Sequence, residues 1–236
     1  MPAYLKIQLA LKRVLDLLSA LTGLVLISPI LILIAAAIKI ESPRYPLFFN
    51  DFVVGRKGRR FRMFKYRTMV PHEIDYESRP EIRPGNPLVG RVGRILRRLK
   101  LDELPQLWNV LRGDMILVGP RPMDPVRFAR SSEFQKQRSI MRPGLSGWAQ
   151  VNGNTYWSWD ERIEMDLWYI DNWSLWLDLA IMWKTVSVLL FGEQPKDQVA
   201  AKRITDTNYK VAWPGQKLFG FGNRREVDAK FETNKG

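Results

Sequence analysis

Leu17 to Ile38 reads LLSALTGLVLISPILILIAAAI, and this stretch decides how the chain is organised. Its only polar members are Ser19, Thr22 and Ser28, and Gly23 and Pro29 are its special backbone residues. About 20 apolar residues cross a bilayer, so the run is long enough. A cleaved signal peptide has a shorter apolar core and a small-residue exit site; here the run passes directly into Lys39 and Glu41. Both flanks are basic, with Lys6, Lys12 and Arg13 before and Lys39 and Arg44 after. A spanning helix normally keeps its basic flank on the cytoplasmic side alone. Two basic flanks fit a helix that enters and returns, and Ser28-Pro29 offers the break. Pro29 cannot donate to the carbonyl four residues back, a group that Ser28 can satisfy instead. A proline-kinked spanning helix fits the same residues, and the stretch alone leaves both paths open. Asp16, at helical spacing from Lys12 and Arg13, is expected to form an ion pair on the helix surface at the membrane interface.

Around this stretch, 236 residues make one domain with appendages. With 46% hydrophobic residues a core can form, and wholesale disorder is excluded. The absence of cysteine removes disulfide scaffolds, cysteine zinc sites and thiol nucleophiles. A single histidine, His72, removes multi-histidine metal sites, and no G-x-S-x-G accompanies it. The net charge of +13 points to an anionic partner. Trp168, Trp173, Trp176 and Trp183 fall within Leu167 to Phe191, where Asp171, Asp178 and Lys184 interrupt any clean span. That mixture suggests short amphipathic helices in the headgroup layer, with an ordinary aromatic core as the competing reading.

The expected class is α+β, mainly helical: residues 1–40 membrane-associated, 41–192 a small globular domain at the membrane surface, and 193–236 a peripheral tail. Gly55 and Gly58 separate β-like runs and predict a hairpin. Residues 71–90 read as a loop. Val92, Ile95, Leu96 and Leu99 predict a helix, and a second helix runs from about Asp102 to Leu111, ended by Gly113. A short strand is expected at Met115 to Val118, a helix over 124–141, and a glycine-punctuated loop over 142–153.

Fifteen basic residues lie between Arg56 and Arg112, and within them sits one adjacent carboxylate pair, Asp102-Glu103, just before Leu104-Pro105. Proline belongs in a first helical turn, so the pair opens a helix. A helix start keeps a carboxylate ionised and attracts phosphate. Successive helical side chains diverge by about 100°, so the two acids can serve different tasks, one a nucleophile and one a metal ligand. A carboxylate attacking a diphosphate meets a like charge, which Mg²⁺ and arginine forks neutralise. Most such pairs, however, are only helix caps.

The longer string alters that balance. Residues 101–115 read LDELPQLWNVLRGDM and 117–122 read LVGPRP; before them come Lys12-Arg13, Asp16, Ser28-Pro29 and Phe64-Lys65-Tyr66-Arg67-Thr68-Met69. After them come Arg142-Pro143-Gly144, Gly147 to Gly153, and Glu164 with Asp166 and Tyr169. In this order, over about 11–190, the chain resembles the bacterial sugar transferases, the monotopic polyprenyl-phosphate phosphoglycosyl transferases. The resemblance implies a re-entrant helix broken at Ser28-Pro29 with both ends cytoplasmic. It implies Asp102 as nucleophile, Glu103 as its partner in Mg²⁺ binding, and phosphate or nucleotide roles for Arg97, Arg121 and Arg142. The chain begins at the membrane helix and so looks like the minimal form. Asp51 and Val53 stand where the family has Gln and Arg, and Ile116 stands where it has serine.

The expected reaction passes a sugar 1-phosphate from a UDP-sugar to polyprenyl (undecaprenyl) phosphate, releasing UMP through an aspartyl-phosphosugar intermediate. The place is the bacterial inner membrane, with the catalytic domain on its cytoplasmic face. The partners are then donor, acceptor and membrane lipids, without nucleic acid; a homo-oligomer, the sugar and the pathway stay open. The rival is a non-enzymatic, membrane-anchored basic protein that binds nucleic acid or anionic lipid. It accounts for the charge and the anchor, but not for an acidic pair among arginines.

Overall fold

A computed structural model of the chain describes residues 3–69 and 88–193. The loop expected at 71–90, apart from its last three residues, and the tail beyond Glu193 lie outside them, as does His72. The first element, α1 (Ala3–Glu41), is one helix of 39 residues, about 58 Å at 1.5 Å per residue. It is long and apolar enough to cross a membrane. Pro29 lies inside it, and the Ser28 hydroxyl donates to Val25 O at 2.8 Å. Val25 carries the carbonyl that the missing N–H of Pro29 leaves unpaired, so the serine fills the expected role.

The hairpin forms as predicted: β1 (Phe48–Val54) pairs antiparallel with β2 (Arg60–Tyr66), Phe48 opposite Tyr66 and Val54 opposite Arg60. Next come α2 (Arg91–Arg98), a 3₁₀ turn at Leu101–Glu103, and α3 (Gln106–Arg112), closed by Gly113 at φ 88°. β3 (Ile116–Val118) leads into α4 (Pro125–Arg130) and α5 (Glu133–Lys136). The single helix expected over 124–141 is thus divided, because Ser132 starts a new one with a capping box to Gln135. In the expected loop 142–153 the chain instead makes β4 (Gly144–Ser146), parallel to β3, and α6 (Trp148–Val151). A Cβ on Gly144 would lie 2.1 Å from Gly119 N, so only glycine lets these two segments meet. The chain then forms α7 (Trp159–Asp171) and α8 (Leu175–Phe191).

The core is assembled along α1. Leu5 packs with Tyr169, Ile170 and Trp173; Ala20 with Leu107, Val110 and Met115; Ile34 and Ile38 with Tyr66 and Leu96. Both ends of the apolar helix therefore rest on one domain. Its outer face is largely apolar: Ile7, Leu11, Leu18, Val25, Leu26 and Leu33 are all exposed.

Two expectations are corrected here. Asp16 does pair with Lys12, at 3.7 Å, but not at the surface: both are buried, Lys12 also meets Asp178 of α8, and Asp16 accepts from the Leu117 N–H at 3.3 Å. The tryptophans, read within 167–191 as interfacial with an aromatic core as the competing reading, divide into two groups. Trp148, Trp157 and Trp173 are core, while Trp176 and Trp183 on α8 are 65% and 80% exposed. α7 is largely buried, because Ile163, Met165, Leu167 and Ile170 all turn inward.

Candidate active site

Lys100 takes a left-handed conformation (φ 56°) and turns the chain out of α2. The 3₁₀ turn that follows carries Asp102, 1% exposed, and the half-buried Glu103. The carboxylates therefore stand one turn ahead of α3 and not inside its first turn. Cations, more than a helix terminus, face them. Lys65 Nζ is 3.0 Å from Asp102 Oδ2 and 3.0 Å from Glu103 Oε1. Arg121 Nη2 is 3.3 Å from the same Glu103 oxygen. Burial alone would raise the Glu103 pKa, but Lys65 and then Arg121 outweigh it and hold the carboxyl well below the usual carboxylate range. Burial likewise works against the Lys65 ammonium, yet Glu103 and Asp102 more than offset this and keep it protonated.

Each cation is positioned by backbone. Buried Asn109 of α3 accepts from Phe64 N at 2.9 Å and donates to Arg62 O at 2.8 Å. This clamp fixes β2 against α3 and delivers Lys65, the next residue, to both acids. Arg121 follows β3 in the rigid Gly-Pro-Arg-Pro turn. Arg138 donates to Arg121 O and pairs with buried Asp166, so α7 holds that turn from behind. Burial raises Asp166 to about 6 despite Arg138. Arg97 of α2 donates through Nε to Thr68 Oγ1 at 2.7 Å and feels both Asp102 and Glu103. A Cβ on Gly93 would come 2.1 Å from Thr68 O, so a bare backbone at Gly93 lets α2 lie close enough.

The structure thus brings together Asp102, Glu103, Arg97 and Arg121. It does not bring Arg142 to them: that side chain lines two other cavities with Arg56. Lys65, Asn109, Arg138 and Glu193 were not singled out as site residues. Glu193, on the tail side of the expected boundary, accepts from Asn154 at 2.8 Å, from Thr155 Oγ1 at 2.7 Å and from Lys100 at 3.0 Å. Of the departures, Val53 and Ile116 are both buried in the core.

Glu103 opens onto a cavity of about 350 Å³ that also reaches Arg121, Lys100 and Glu193, while Asp102 is buried just behind it. Its far wall is apolar, built from Leu99, Leu104 and the α8 residues Met182, Val186 and Leu189. A charged end beside an apolar wall suits a phosphate carrying a hydrocarbon chain. The acids also fit a divalent cation. Asp102 Oδ2 is buried and has Lys65 as its ion-pair partner among the described residues. No third carboxylate or imidazole joins the pair among the described residues. Mg²⁺ commonly takes one or two carboxylates and completes its shell with water and substrate phosphate.

Comparison with known proteins agrees with this arrangement. A family profile described as bacterial sugar transferase matches residues 7–192. The chain is 39% identical to the uncharacterised sugar transferase EpsL of Bacillus subtilis, over 83% of this chain and 96% of that protein. It is 46% identical to a UDP-glucose:undecaprenyl-phosphate glucose-1-phosphate transferase of Caulobacter vibrioides, over 76% of this chain and 69% of that one. It is 43% identical to a UDP-N-acetylgalactosamine-undecaprenyl-phosphate N-acetylgalactosaminephosphotransferase of Aeromonas hydrophila, over 77% of this chain but only 44% of the relative.

Proposed function

Because this chain belongs to the bacterial sugar transferase family, we propose that it moves a sugar 1-phosphate from a UDP-sugar to polyprenyl phosphate at the cytoplasmic face of the bacterial inner membrane. The observation that carries the reading is the buried Asp102-Glu103 pair ringed by Lys65, Arg121 and Arg97. The relatives' names differ in the sugar, so the donor is proposed only as a UDP-sugar.

Asp102 attacks the phosphorus next to the sugar, the bond to the UMP oxygen breaks, and UMP leaves. The sugar phosphate is then held on the aspartate as an acyl phosphate. An oxygen of polyprenyl phosphate attacks the same phosphorus, the Asp102 carboxylate leaves, and polyprenyl-diphosphate-sugar forms. Two half-reactions let a soluble donor and a lipid acceptor use one site in turn. The buried position of Asp102, with the Lys65 ammonium 3.0 Å from its Oδ2, supports its role as nucleophile. Glu103, with diphosphate oxygens, would hold Mg²⁺, which when bound supplies positive charge against the diphosphate. Arg121 and Arg97 receive phosphate oxygens, and Lys65 keeps Glu103 ionised and sets a positive charge beside Asp102.

Support for the membrane arrangement comes from α1. Leu5 and Ile38 both pack on the catalytic domain, as expected if the two ends of the helix share the cytoplasmic side. Trp176, Leu179 and Trp183 of α8 are exposed apolar residues suited to the membrane, and the acceptor chain lies along the apolar wall that α8 gives the cavity. Intact-protein mass spectrometry after mixing with UDP-sugar and Mg²⁺, without acceptor, tests the chemistry. The parent is expected to gain one sugar-phosphate mass and Asp102→Asn to gain none. An adduct on the Asn variant would overturn the nucleophile, and a parent that turns over without an adduct would indicate direct transfer.

A further inference from the structure

Arg142 lies away from the acids, in a place with its own chemistry. On one side is a cavity of about 310 Å³ between the first turns of α1 and the domain, walled by Leu5, Leu9, Met141, Ile170 and Trp173. On the other is a cavity of about 400 Å³ lined by Lys57, Arg59 and Arg60, with Asp114 its one acidic residue. Arg56 and Arg142 border both cavities, and Arg13 borders the apolar one together with the buried ion pair Lys12–Asp16. Neither shares a lining residue with the cavity at Asp102-Glu103.

The three arginines are unequally used. Arg13 donates to Val110 O and Leu111 O at the end of α3, and Arg56 donates to Ile140 O. Arg142 makes no hydrogen bond or ion pair among the described residues. Burial, then the Arg56 and Arg13 charges, works against its own charge, and Asp16 alone is on its side. Arg13 and Arg142 are half-buried and Arg56 is exposed beside them, and guanidinium groups gathered in this way favour an anion.

We infer that Arg56 and Arg142 hold the phosphate of an anionic phospholipid of the surrounding membrane, with an acyl chain in the apolar cavity and the headgroup on the basic side. The amphiphile is argued from the pairing of the cavities: one apolar, one cationic, with two arginines at their junction. A soluble phosphate would leave the apolar side unused, and a neutral lipid would leave the basic side unsatisfied. The wall beside the chain is the start of α1, which exposes Tyr4, Ile7 and Leu11 on its other face, so the cavity adjoins surface suited to lipid. The inference rests on the membrane reading of α1 and not on the transfer reaction.

Native mass spectrometry of the full chain in detergent micelles tests it without turnover. The probes are dioleoyl-phosphatidylglycerol, dioleoyl-phosphatidylcholine and glycerol 1-phosphate. The expected result is retention of the anionic lipid about tenfold better than the zwitterionic one, the scale of a charge-assisted contact. Arg56→Gln with Arg142→Gln should abolish that preference. Leu9→Trp, which fills the apolar side and spares the arginines, should weaken retention of the anionic lipid. Equal retention of the two lipids, or a preference that survives both variants, overturns the proposal. Glycerol 1-phosphate retained as well as the lipid overturns it in favour of a soluble-anion site.

Discussion

Lys12 Nζ of α1 lies 2.6 Å from Asp178 Oδ2 of α8, a buried ion pair between residues 166 apart in sequence. Asp178 also accepts from the Tyr169 hydroxyl at 2.6 Å and from Trp173 Nε1 at 3.1 Å. The pair therefore fastens the membrane helix to α7 and α8, next to the strand that leads to Arg121. Removing one partner leaves the other charge buried, which costs about 3–5 kcal/mol. We expect Asp178→Leu or Lys12→Met to lower the midpoint of thermal unfolding in detergent by about 10 °C. The double variant should recover part of that loss, since Lys12 and Asp178 no longer leave one another unpaired, while buried Asp16, 3.7 Å from Lys12, still loses its cation. Additive losses in this cycle would mean that the two residues act independently.

Lys65 serves two acids at once, so its removal should be felt in rate more than in donor binding. Lys65→Met is expected to lower kcat by about 100-fold, the usual scale for losing one charge-stabilising donor. Its pH signature has a definite sign. In the parent the Glu103 pKa is depressed below its ordinary 4.5, so its contribution to stability is present above that value. It is lost only as pH falls from there through the folded pKa. Without Lys65 only Arg121 still contacts Glu103, its pKa rises, and the acid side of the rate profile should move to higher pH. A variant whose profile overlays the parent between pH 5 and 8 would show that Lys65 does not govern Glu103.

Arg97 reaches the acids only because α2 lies close to Thr68. Gly93→Ala would put a Cβ 2.1 Å from Thr68 O, a backbone atom that cannot swing aside. The helix must then move, taking Arg97 with it. Activity should fall about tenfold or more, the scale of misplacing a positioned charge, with KM for the UDP-sugar rising. Full activity in Gly93→Ala would separate Arg97 from donor binding.

The parts legible in the sequence are those whose determinants are local. Asp102, Glu103 and Arg121 fall in one continuous string, the hairpin follows from Gly55 and Gly58, and Ser28 serves a carbonyl three residues away. Lys65 was harder to read because its role depends on strand register, which buried Asn109 sets from another element. Arg138 and Asp166 carry no local mark, since their joint effect is exerted on the carbonyl of Arg121. Asp16 and Asp178 looked interfacial because charge beside apolar residues usually seeks water; only the fold reveals Lys12 between them. The strand at Gly144–Ser146 is too short for alternation to register, and its partner accepts it through close approach at glycine. Tryptophan count, finally, does not distinguish Trp173 in the core from Trp183 at the surface.

The topology of α1 is open to a direct test. At about 58 Å the helix is nearly twice the hydrocarbon thickness of about 30 Å, so a straight crossing would carry one end far from the domain. Yet Leu5 near its start and Ile38 near its end are both buried against that domain, and Glu41 accepts from Val92 N at 3.2 Å. We therefore expect single cysteines at the exposed positions Lys6 and Arg44 to be labelled only when cells are opened, both from the cytoplasmic side. Labelling of the two from opposite sides would establish a spanning helix and remove the re-entrant path. Pro29→Ala then asks what sets the path. It restores the N–H that Val25 O lacks and releases Ser28 from that carbonyl, so the helix gains its missing bond and straightens. If the break sets the topology, a fraction of the Lys6 cysteine should become accessible from outside. If labelling is unchanged, the packing of Leu5, Ala20, Ile34 and Ile38 holds both ends on one side without help from the proline.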